Sequence, residues 1–263
     1  MGGVGGVFAG QVVLITGAGG AIGRALCAGF AADGATIVAV GRRTSTLDET
    51  AARCSRPITS ICADLRQPNE CVRAIEEAIA KHGRIDVLVN CAGMFGAGLF
   101  SEKPFQEWAD TIALNVLGVA ACCRAALPHM MRQGNGRIIT IASRMAGTRS
   151  PGASAYSASK AATSALTSCV GAELANSHPN LLINDLIPGP TKSAMSRHGQ
   201  EPAAVYPYAR KLALLPAGGP SGQMFYKGTR YSLFGIRQKF SLSRWGKLAS
   251  YYLKRLKIGT SLG

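Results

Sequence analysis

Short apolar runs alternate with longer amphipathic stretches along most of the chain. The runs at residues 12–16 and 36–40 contain no charged residue, which is typical of parallel strands that are buried on both faces. We predict further strands at residues 58–62, 86–89, 137–142 and 181–187. Apolar residues at helical spacing predict helices at residues 22–32, 68–81, 105–131 and 155–177, the third with an interruption near Gly118.

This alternation of strand and helix predicts a parallel sheet that is covered by helices on both sides and joined by right-handed crossovers. The expected fold class is therefore α/β, a doubly wound parallel sheet of the Rossmann type with three αβα layers. Ligands bind such sheets at the carboxyl ends of the strands. Gly17, Asn90, Ser143 and the pair Pro188-Gly189 each follow a predicted strand, so we expect them at one edge of the sheet.

We expect a single domain over residues 10–226. Residues 1–9 are Gly-rich and uncharged, and we predict that they form a flexible leader. Residues 227–263 form a basic extension, and residues 202–263 contain 11 Lys and Arg and no acid. This tail is either a basic amphipathic helix that contacts a membrane or a partner, or a frayed basic tail. In a helix, the apolar residues that would share one face are Trp245, Leu248, Ala249, Tyr252 and Leu256.

The eight cysteines lie in apolar segments without a CxxC pair, and the four histidines show no ligand spacing. We therefore expect reduced thiols, no metal site and a cytoplasmic protein. The charge of +15 belongs mainly to the tail, and no motif that recognises nucleic acid accompanies it, so we expect no nucleic-acid partner.

A glycine-rich segment at residues 16–23 joins the first predicted strand to the first predicted helix. Glycines allow a tight turn and a close approach to a pyrophosphate, and the helix N-terminus supplies free N–H groups, so we predict a dinucleotide loop rather than a plain turn. Its predicted cofactor-binding residues are Gly17, Gly19, Gly20, Ala21, Ile22 and Gly23.

Arg42 and Arg43 follow the second strand, where an NAD-selective site usually has an acid. Arginine suits a 2′-phosphate, so we favour NADP(H) over NAD(H); the alternative is that both are solvated loop charges. Asp64, with its neighbour Leu65, either contacts the adenine or caps the next segment. A turn of small residues that would pass close to the cofactor contains Asn90, Ala92 and Gly93.

Tyr156 and Lys160 are four residues apart in a predicted helix, which places both on one face. A phenol is a poor base at neutral pH, and a nearby cation lowers its pKa. The pair therefore suits proton transfer to or from an alcohol oxygen, with Ser143 placed to polarise that oxygen.

These motifs together resemble the short-chain dehydrogenase/reductase family over about residues 10–226, and residues 202–225 resemble its carbonyl-reductase-like members. The resemblance rests on TGAGGAIG (16–23), Asp64, NCAG (90–93), Asn115 in LNVLG, Ser143, YSASK (156–160) and INDLIPGPTKSAM (183–195). It implies that Tyr156 is the acid/base, that Lys160 lowers its pKa and holds the nicotinamide ribose, and that Ser143 positions the carbonyl.

The resemblance also implies that Asn115 bends its helix and holds a water, and that Pro188, Gly189 and Thr191 flank the nicotinamide. Two residues depart from the family pattern. Ala21 stands where the family usually has a glycine, and its methyl group would be tolerated if φ is negative there. Cys91 replaces a common asparagine.

The implied function is NADP(H)-dependent hydride transfer at a carbonyl or alcohol carbon of a small molecule, in a homodimer or homotetramer. Only residues 196–221 separate Met195 from the last predicted strand, which indicates a short lid and an accessible pocket. Side chains that either line this pocket or pack in the core are Met94, Phe95, Arg144, Met145 and Met195. The alternative function is a dinucleotide-binding sensor or scaffold that contacts a partner or membrane through the basic tail.

Overall fold

The computed structural model describes residues 6–148 and 150–232. The strands in this part of the chain all lie in one sheet. The strands are β1 Val12–Thr16, β2 Thr36–Gly41, β3 Thr59–Cys62, β4 Val87–Asn90, β5 Gly136–Ile141, β6 Leu181–Ile187, β7 Gln223–Tyr226 and β8 Thr229–Tyr231. Their order is β3-β2-β1-β4-β5-β6-β7-β8, and all neighbours pair in parallel except β7 and β8, which are antiparallel.

Helices cover both faces of this sheet. They are α1 Ala21–Ala32, α2 Thr44–Ala51, α3 Pro68–His82, α4 Phe105–Ile112, α5 Val119–Gln133, α6 Ser154–Ser177 and α7 Tyr206–Ala213. The strand order reverses direction between β1 and β4, as in a doubly wound fold. The predicted α/β fold of the Rossmann type is confirmed.

Alternate side chains of the central strands enter two separate cores. Val13 and Ile15 of β1 pack with Phe30 under α1, α2 and α7, whereas Leu14 packs with Met130 under α3, α5 and α6. All five residues of β1 are buried, because neighbouring strands and two helix layers enclose it. This is the physical reason why the strand appears in the sequence as an unbroken apolar run.

The turn between α4 and α5 is a π-helical segment, Ala113–Gly118. A Cβ built on Gly118 would lie 2.3 Å from the carbonyl oxygen of Leu65, so the helix passes too close to that loop for any side chain at this position. The predicted interruption near Gly118 is therefore a wide turn within one continuous helix. That helix, Phe105–Gln133, has the length and hydropathy of a membrane span, but its α5 part packs into the core beneath the sheet.

Residues 6–9 of the predicted leader pack against the domain. Phe8 is fully buried in an edge-on contact with Phe30, with ring centroids 5.1 Å apart, and its backbone N–H donates to the Asp33 carbonyl at 3.0 Å. The folded body therefore begins before residue 10, because an aromatic side chain near the N-terminus completes the core over α1.

Two further elements differ from the sequence predictions. α2 lies in a segment for which we predicted no helix, and only its Leu47 and Thr50 are buried. β8 extends the sheet beyond the predicted boundary at residue 226, because a tight turn at Lys227-Gly228 returns the chain alongside β7. The predicted amphipathic helix of the tail lies outside the described residues.

Replacing Phe8 by Ala removes a ring that the core encloses completely, so we expect Phe8→Ala to lower the free energy of unfolding by about 3 kcal/mol. Urea denaturation followed by circular dichroism measures this loss. The matched control is Val7→Ala, because Val7 is 47% exposed and should change stability by less than about 0.5 kcal/mol. Equal effects of the two variants would show that the segment is not part of the core.

Candidate active site

The glycine-rich loop is locked to the loop after β4 by the buried hydroxyl of Thr16. This hydroxyl accepts hydrogen bonds from the backbone N–H groups of Cys91 and Ala92, both at 3.1 Å. Gly17 has a φ of +64°, and a Cβ there would lie 2.7 Å from the Cα of Ala92. Only glycine fits this position, because both the backbone conformation and the neighbouring chain exclude a side chain.

The N-terminus of α1 follows this loop without a side-chain cap. Its N-cap residue is Gly20, which has no side chain to cap the helix. The first N–H groups of the helix are therefore available to an anion. Ala21 opens the helix with a negative φ, so the methyl group is tolerated, as expected. Gly19 and Gly23 are required by close approach, since added Cβ atoms would lie 2.3 Å from Thr46 Oγ1 and the Gly17 carbonyl oxygen, respectively.

Arg42 and Arg43 border the same cavity as the glycine-rich loop. The cavity has a volume of about 230 Å³ and is lined by Gly17, Gly19, Gly20, Gly41, Arg42, Arg43 and Thr46. α2 begins directly after Arg43, so its positive dipole end adds to the two guanidinium charges. The cavity therefore combines an uncapped helix end, glycines without side chains and two exposed cations at the end of β2, which fits a dinucleotide.

Asp64 lies at the start of the loop after β3 and pairs with Arg66. Its carboxylate accepts the backbone N–H of Arg66 at 3.1 Å and its guanidinium at 2.5 Å. The hydrogen bond from the Arg66 side chain holds the pKa of Asp64 below its ordinary value. Arg66 also pairs with Asp110 of α4, at 3.0 Å. The Asp64 carboxylate thus orders its own loop, whereas α3 begins after Gln67 without a side-chain cap.

The turn after β4 brings small residues to the centre of the edge. Asn90 is buried and donates to the Cys123 sulfur at 3.3 Å. A Cβ built on Gly93 would lie 3.4 Å from Asn115 Oδ1 and 3.9 Å from Lys160 Nζ. The glycine therefore keeps the space beside both polar groups free of side-chain atoms.

Asn115 sits inside the π-helical segment and is completely buried. It accepts from the Met94 N–H at 2.9 Å and donates to the Met94 carbonyl at 3.0 Å. It also donates to the hydroxyl of Ser159 in α6 at 3.0 Å, and that hydroxyl donates to the Tyr156 carbonyl at 2.7 Å. Asn115 thus connects the loop after β4 to the helix that carries Tyr156.

Lys160 is buried beneath the Tyr156 ring. Its ammonium lies 5.6 Å from the ring centroid and donates to the Ile141 carbonyl at 2.8 Å. Burial lowers the pKa of Lys160, while the nearby Asp185 carboxylate acts in the opposite direction. The structure brings together the two side chains that the i, i+4 spacing had predicted to share a face.

Ser143 follows β5, where its Oγ accepts the Met145 N–H at 3.2 Å and starts a short 3₁₀ turn. Burial raises the pKa of Tyr156, and a hydrogen bond with Ser143 opposes this rise. The Phe95 ring packs edge-on against Tyr156 with centroids 5.2 Å apart. The Ser143 hydroxyl, the Tyr156 phenol and the Lys160 ammonium are therefore grouped at the end of β5, beside the Phe95 ring.

The loop after β6 closes the other side of this point. Gly189 has a φ of +82°, and its carbonyl accepts the Thr191 hydroxyl at 3.0 Å. Gln200 donates to the Pro188 carbonyl at 2.7 Å, which ties the short lid back to the strand end. Of the predicted substrate residues, Met145 lies in the turn after Ser143, and Met195 is 48% exposed directly before the lid.

Comparison with known proteins places this arrangement among dehydrogenases. The family model described as short chain dehydrogenase matches residues 11–203. The chain is 34% identical over 194 residues to a 2-(R)-hydroxypropyl-CoM dehydrogenase of Xanthobacter autotrophicus, covering 71% of this chain and 77% of that protein. It is 32% identical over 197 residues to a 3-oxoacyl-(acyl-carrier-protein) reductase of Thermotoga maritima, covering 74% and 79%.

A solved structure shares the fold. A short-chain alcohol dehydrogenase from Sinorhizobium meliloti, described as putative, superposes with a TM-score of 0.76 at 24% identity, covering 84% of this chain and 96% of that one. Its likeness concerns the fold, which places the same strand ends at one edge.

One buried group near the site was not singled out from the sequence. Asp185 of β6 is almost fully buried, and its carboxylate accepts the Thr167 hydroxyl at 2.7 Å. Burial raises its pKa to about 6, and this effect exceeds the opposing influence of the Thr167 hydrogen bond and of Lys160. The sequence did not reveal this group, because its burial depends on how α6 packs against β6.

We expect Asp185→Asn to stabilise the fold at neutral pH. A carboxyl group whose pKa is higher in the folded protein favours folding when protonated, and this contribution is lost as the pH rises from about 4 through about 6. An amide keeps an acceptor for Thr167 without a charge. The stabilisation should grow by roughly 2 kcal/mol between pH 4.5 and pH 7.5, measured by urea unfolding at both values.

A contrasting variant is Asp33→Asn, because hydrogen bonds from Tyr206 and Arg210 lower the pKa of Asp33. This variant should be destabilised at neutral pH. If Asp185→Asn also lost stability at pH 7.5, the Asp185 carboxylate would be a net stabilising partner of Lys160, and the assignment of its burial as the dominant effect would be wrong.

Proposed function

The chain belongs to the short-chain dehydrogenase/reductase family and is an oxidoreductase that transfers a hydride, and on this basis we propose that it is an NADP(H)-dependent carbonyl reductase in which Tyr156 is the acid/base. The observation that carries the proposal is the meeting of Ser143, Tyr156 and Lys160 at the carboxyl end of β5. The family implies a nicotinamide cofactor; its preference for NADP(H) is part of the proposal.

The bound nicotinamide supplies the hydride. The cavity beside the glycine-rich loop suits the dinucleotide, with Gly17 allowing close approach and the free N–H groups of α1 facing its phosphates. In the proposed arrangement Asp64, Leu65, Asn90, Ala92 and Gly93 border the cofactor from the middle of the edge. Pro188, Gly189 and Thr191 border its nicotinamide end.

The protein side of the reaction is movement of one proton. Ser143 donates a hydrogen bond to the substrate carbonyl oxygen, which places that oxygen beside the Tyr156 hydroxyl. Tyr156 then gives its proton to the oxygen as the alcohol forms. The Lys160 ammonium, held under the ring, stabilises the phenolate that this step leaves behind. Burial disfavours that phenolate, and in this proposal the cation offsets the effect of burial.

The proton returns to Tyr156 from solvent past the buried polar groups behind it. Asn115 and Ser159 do not carry this proton themselves; their hydrogen bonds fasten the loop after β4 to the helix of Tyr156 through its backbone carbonyl. In this proposal Asn115 holds a water next to Lys160, in the space that Gly93 leaves free of side-chain atoms.

The two guanidinium groups beside the cofactor cavity favour NADP(H). Arg42 and Arg43 are exposed, and they follow β2 at the position where an acid would hold the ribose hydroxyls of NAD. Asp48 is the nearest acid in sequence and lies inside α2. A 2′-phosphate at this position would meet two cations and the dipole of α2.

The remaining proposals concern assembly and location. Phe105 and Leu117 are 75% and 50% exposed on the long α4–α5 helix, which supports a homodimer or homotetramer through these helices. All eight cysteines are free thiols, which supports a cytoplasmic location. Membrane contact would involve the tail beyond the described residues. A sensor or scaffold role is not favoured, since the relatives are named dehydrogenases and reductases.

We expect Tyr156→Phe to lower kcat for carbonyl reduction by about a thousandfold, because the ring remains while its proton is lost. NADPH consumption with a panel of aldehydes and ketones measures this. Binding of NADPH, followed by its fluorescence, should stay within about twofold, and this shows that the variant is folded. Full turnover by Tyr156→Phe would exclude the assigned role.

Arg42→Ala and Arg43→Ala should each lower kcat/KM for NADPH by about tenfold, while kcat/KM for NADH changes little, because only NADPH carries the 2′-phosphate. The matched control is Arg53→Ala, which removes an exposed cation just beyond the other end of α2. A wild-type preference for NADH would overturn the proposed cofactor choice.

A further inference from the structure

Two exposed cations flank one aromatic ring at the substrate end of the proposed active site. The Arg144 guanidinium carbon lies 5.5 Å from the centroid of the Tyr226 ring, and the Lys227 ammonium lies 5.9 Å from the same centroid. These distances are within the range of cation–π attraction. The ring therefore holds both charges at one place.

The strand register puts this ring at the same sheet edge as the proposed catalytic residues. Tyr226 ends β7 and pairs with Ile187, the last residue of β6, while Arg144 directly follows Ser143 at the end of β5. A Cβ built on Gly189 would lie 2.8 Å from Lys227 Cε and 3.4 Å from Tyr226 Oη, so both side chains lie against the loop after β6. The ends of three adjacent strands thus converge on this pair of cations.

The backbone of Lys227 is unusual for a lysine. Its φ is +49°, and it is the only residue other than glycine with a positive φ within residues 6–148 and 150–232. Together with Gly228 (φ +74°) it forms the tight turn between β7 and β8, where Asn or Gly would be less strained. The turn therefore carries a charged side chain at a position where a smaller residue would serve the fold better, which points to a function.

The two charges have no acidic partner within the described part of the chain. Neither residue takes part in an ion pair there, although other cations of the same region are engaged. Lys192 of the loop after β6 pairs with Glu201 at 2.5 Å, and Arg230 of β8 donates to Gln223 at 3.2 Å. Two like charges that share a ring without a counter-charge repel each other, and a bound anion would relieve this repulsion.

We infer that Arg144 and Lys227, held on Tyr226, form an anion subsite that selects carbonyl substrates bearing an acidic group such as a carboxylate. The planar guanidinium suits two-point contact with a carboxylate, and the ammonium adds a mobile second charge. Arg144 is the next residue after Ser143 in the sequence. The subsite would therefore hold the acidic end of a substrate whose carbonyl reaches Tyr156. This inference rests on the proposed function and adds a substrate class to it.

The test compares an acid with its uncharged ester in the full-length protein. The probes are 4-formylbenzoate and methyl 4-formylbenzoate, reduced with NADPH, and the readout is the ratio of their kcat/KM values. The wild-type enzyme should prefer the acid. Arg144→Gln and Lys227→Asn should each lower the acid-to-ester ratio about fivefold, mainly through KM for the acid, and the double variant about twentyfold.

The choice of variants keeps the fold intact. Asparagine is tolerated at a positive φ, so Lys227→Asn removes the charge without straining the turn. The matched control is Lys81→Gln, because Lys81 is an exposed cation at the end of α3, before β4, and therefore at the opposite edge of the sheet. This control should leave the acid-to-ester ratio unchanged.

Three results would overturn the subsite. They are a wild-type preference for the ester, an unchanged ratio in the double variant, or an effect on KM for NADPH instead of KM for the acid, which would assign the cations to the cofactor. Reduction of the ester, with its loss in Tyr156→Phe, reports on the proposed function separately. If the ester is reduced but one of these three results is found, the subsite is refuted while the proposed function stands.

A binding measurement decides the case in which neither probe is reduced. Isothermal titration calorimetry of benzoate and benzamide into the enzyme saturated with NADP⁺ reports on the anion subsite without turnover. Benzoate should bind more tightly than benzamide, and the double variant should lose this difference. Equal binding of the two ligands by the wild-type protein would refute the inference.

Discussion

The buried ammonium of Lys160 is the constraint on which the site depends. A charge taken out of water must find hydrogen-bond partners, and Lys160 meets this need by donating to the Ile141 carbonyl at 2.8 Å. That bond fastens α6 to the end of β5 and brings the ring of Tyr156 over the cation and within reach of Ser143. The proton chemistry proposed for this protein follows from that one placement.

The sheet edge supplies the rest of the arrangement by packing. Because the central strands are buried on both faces, a ligand can reach the sheet only at the edge where the strands end. Thr16 joins the loops after β1 and β4 through its hydroxyl, and Asn115 joins the loop after β4 to α6. Hydrogen bonds between strand ends thus hold the cofactor cavity and the candidate catalytic residues at the same edge.

The sequence predicted those parts of the fold that depend on local pattern. β1 and the i, i+4 pair Tyr156 and Lys160 leave clear signals, because burial on two faces and helical spacing are both written in neighbouring residues. α2 left no such signal, since only two of its side chains are buried. The burial of Phe8 and of the Asp185 carboxyl group also escaped prediction, because each depends on how a neighbouring helix packs and not on a local pattern.

The substrate end shows the same limit. Arg144 had been one of several side chains that either line the pocket or pack in the core, and Lys227 lay at a predicted domain boundary. Only the register of β6 and β7 reveals that both cations meet at Tyr226. The central claim is that Lys160 sets the ionisation of Tyr156, and titration of the Tyr156 phenol tests it most directly. The phenolate absorbance of Tyr156 is the difference between the protein and its Tyr156→Phe variant. This difference is titrated with Lys160 present and again in the Lys160→Met background. A pKa that is higher by at least about one unit without the lysine is predicted, and an unchanged pKa would contradict the claim.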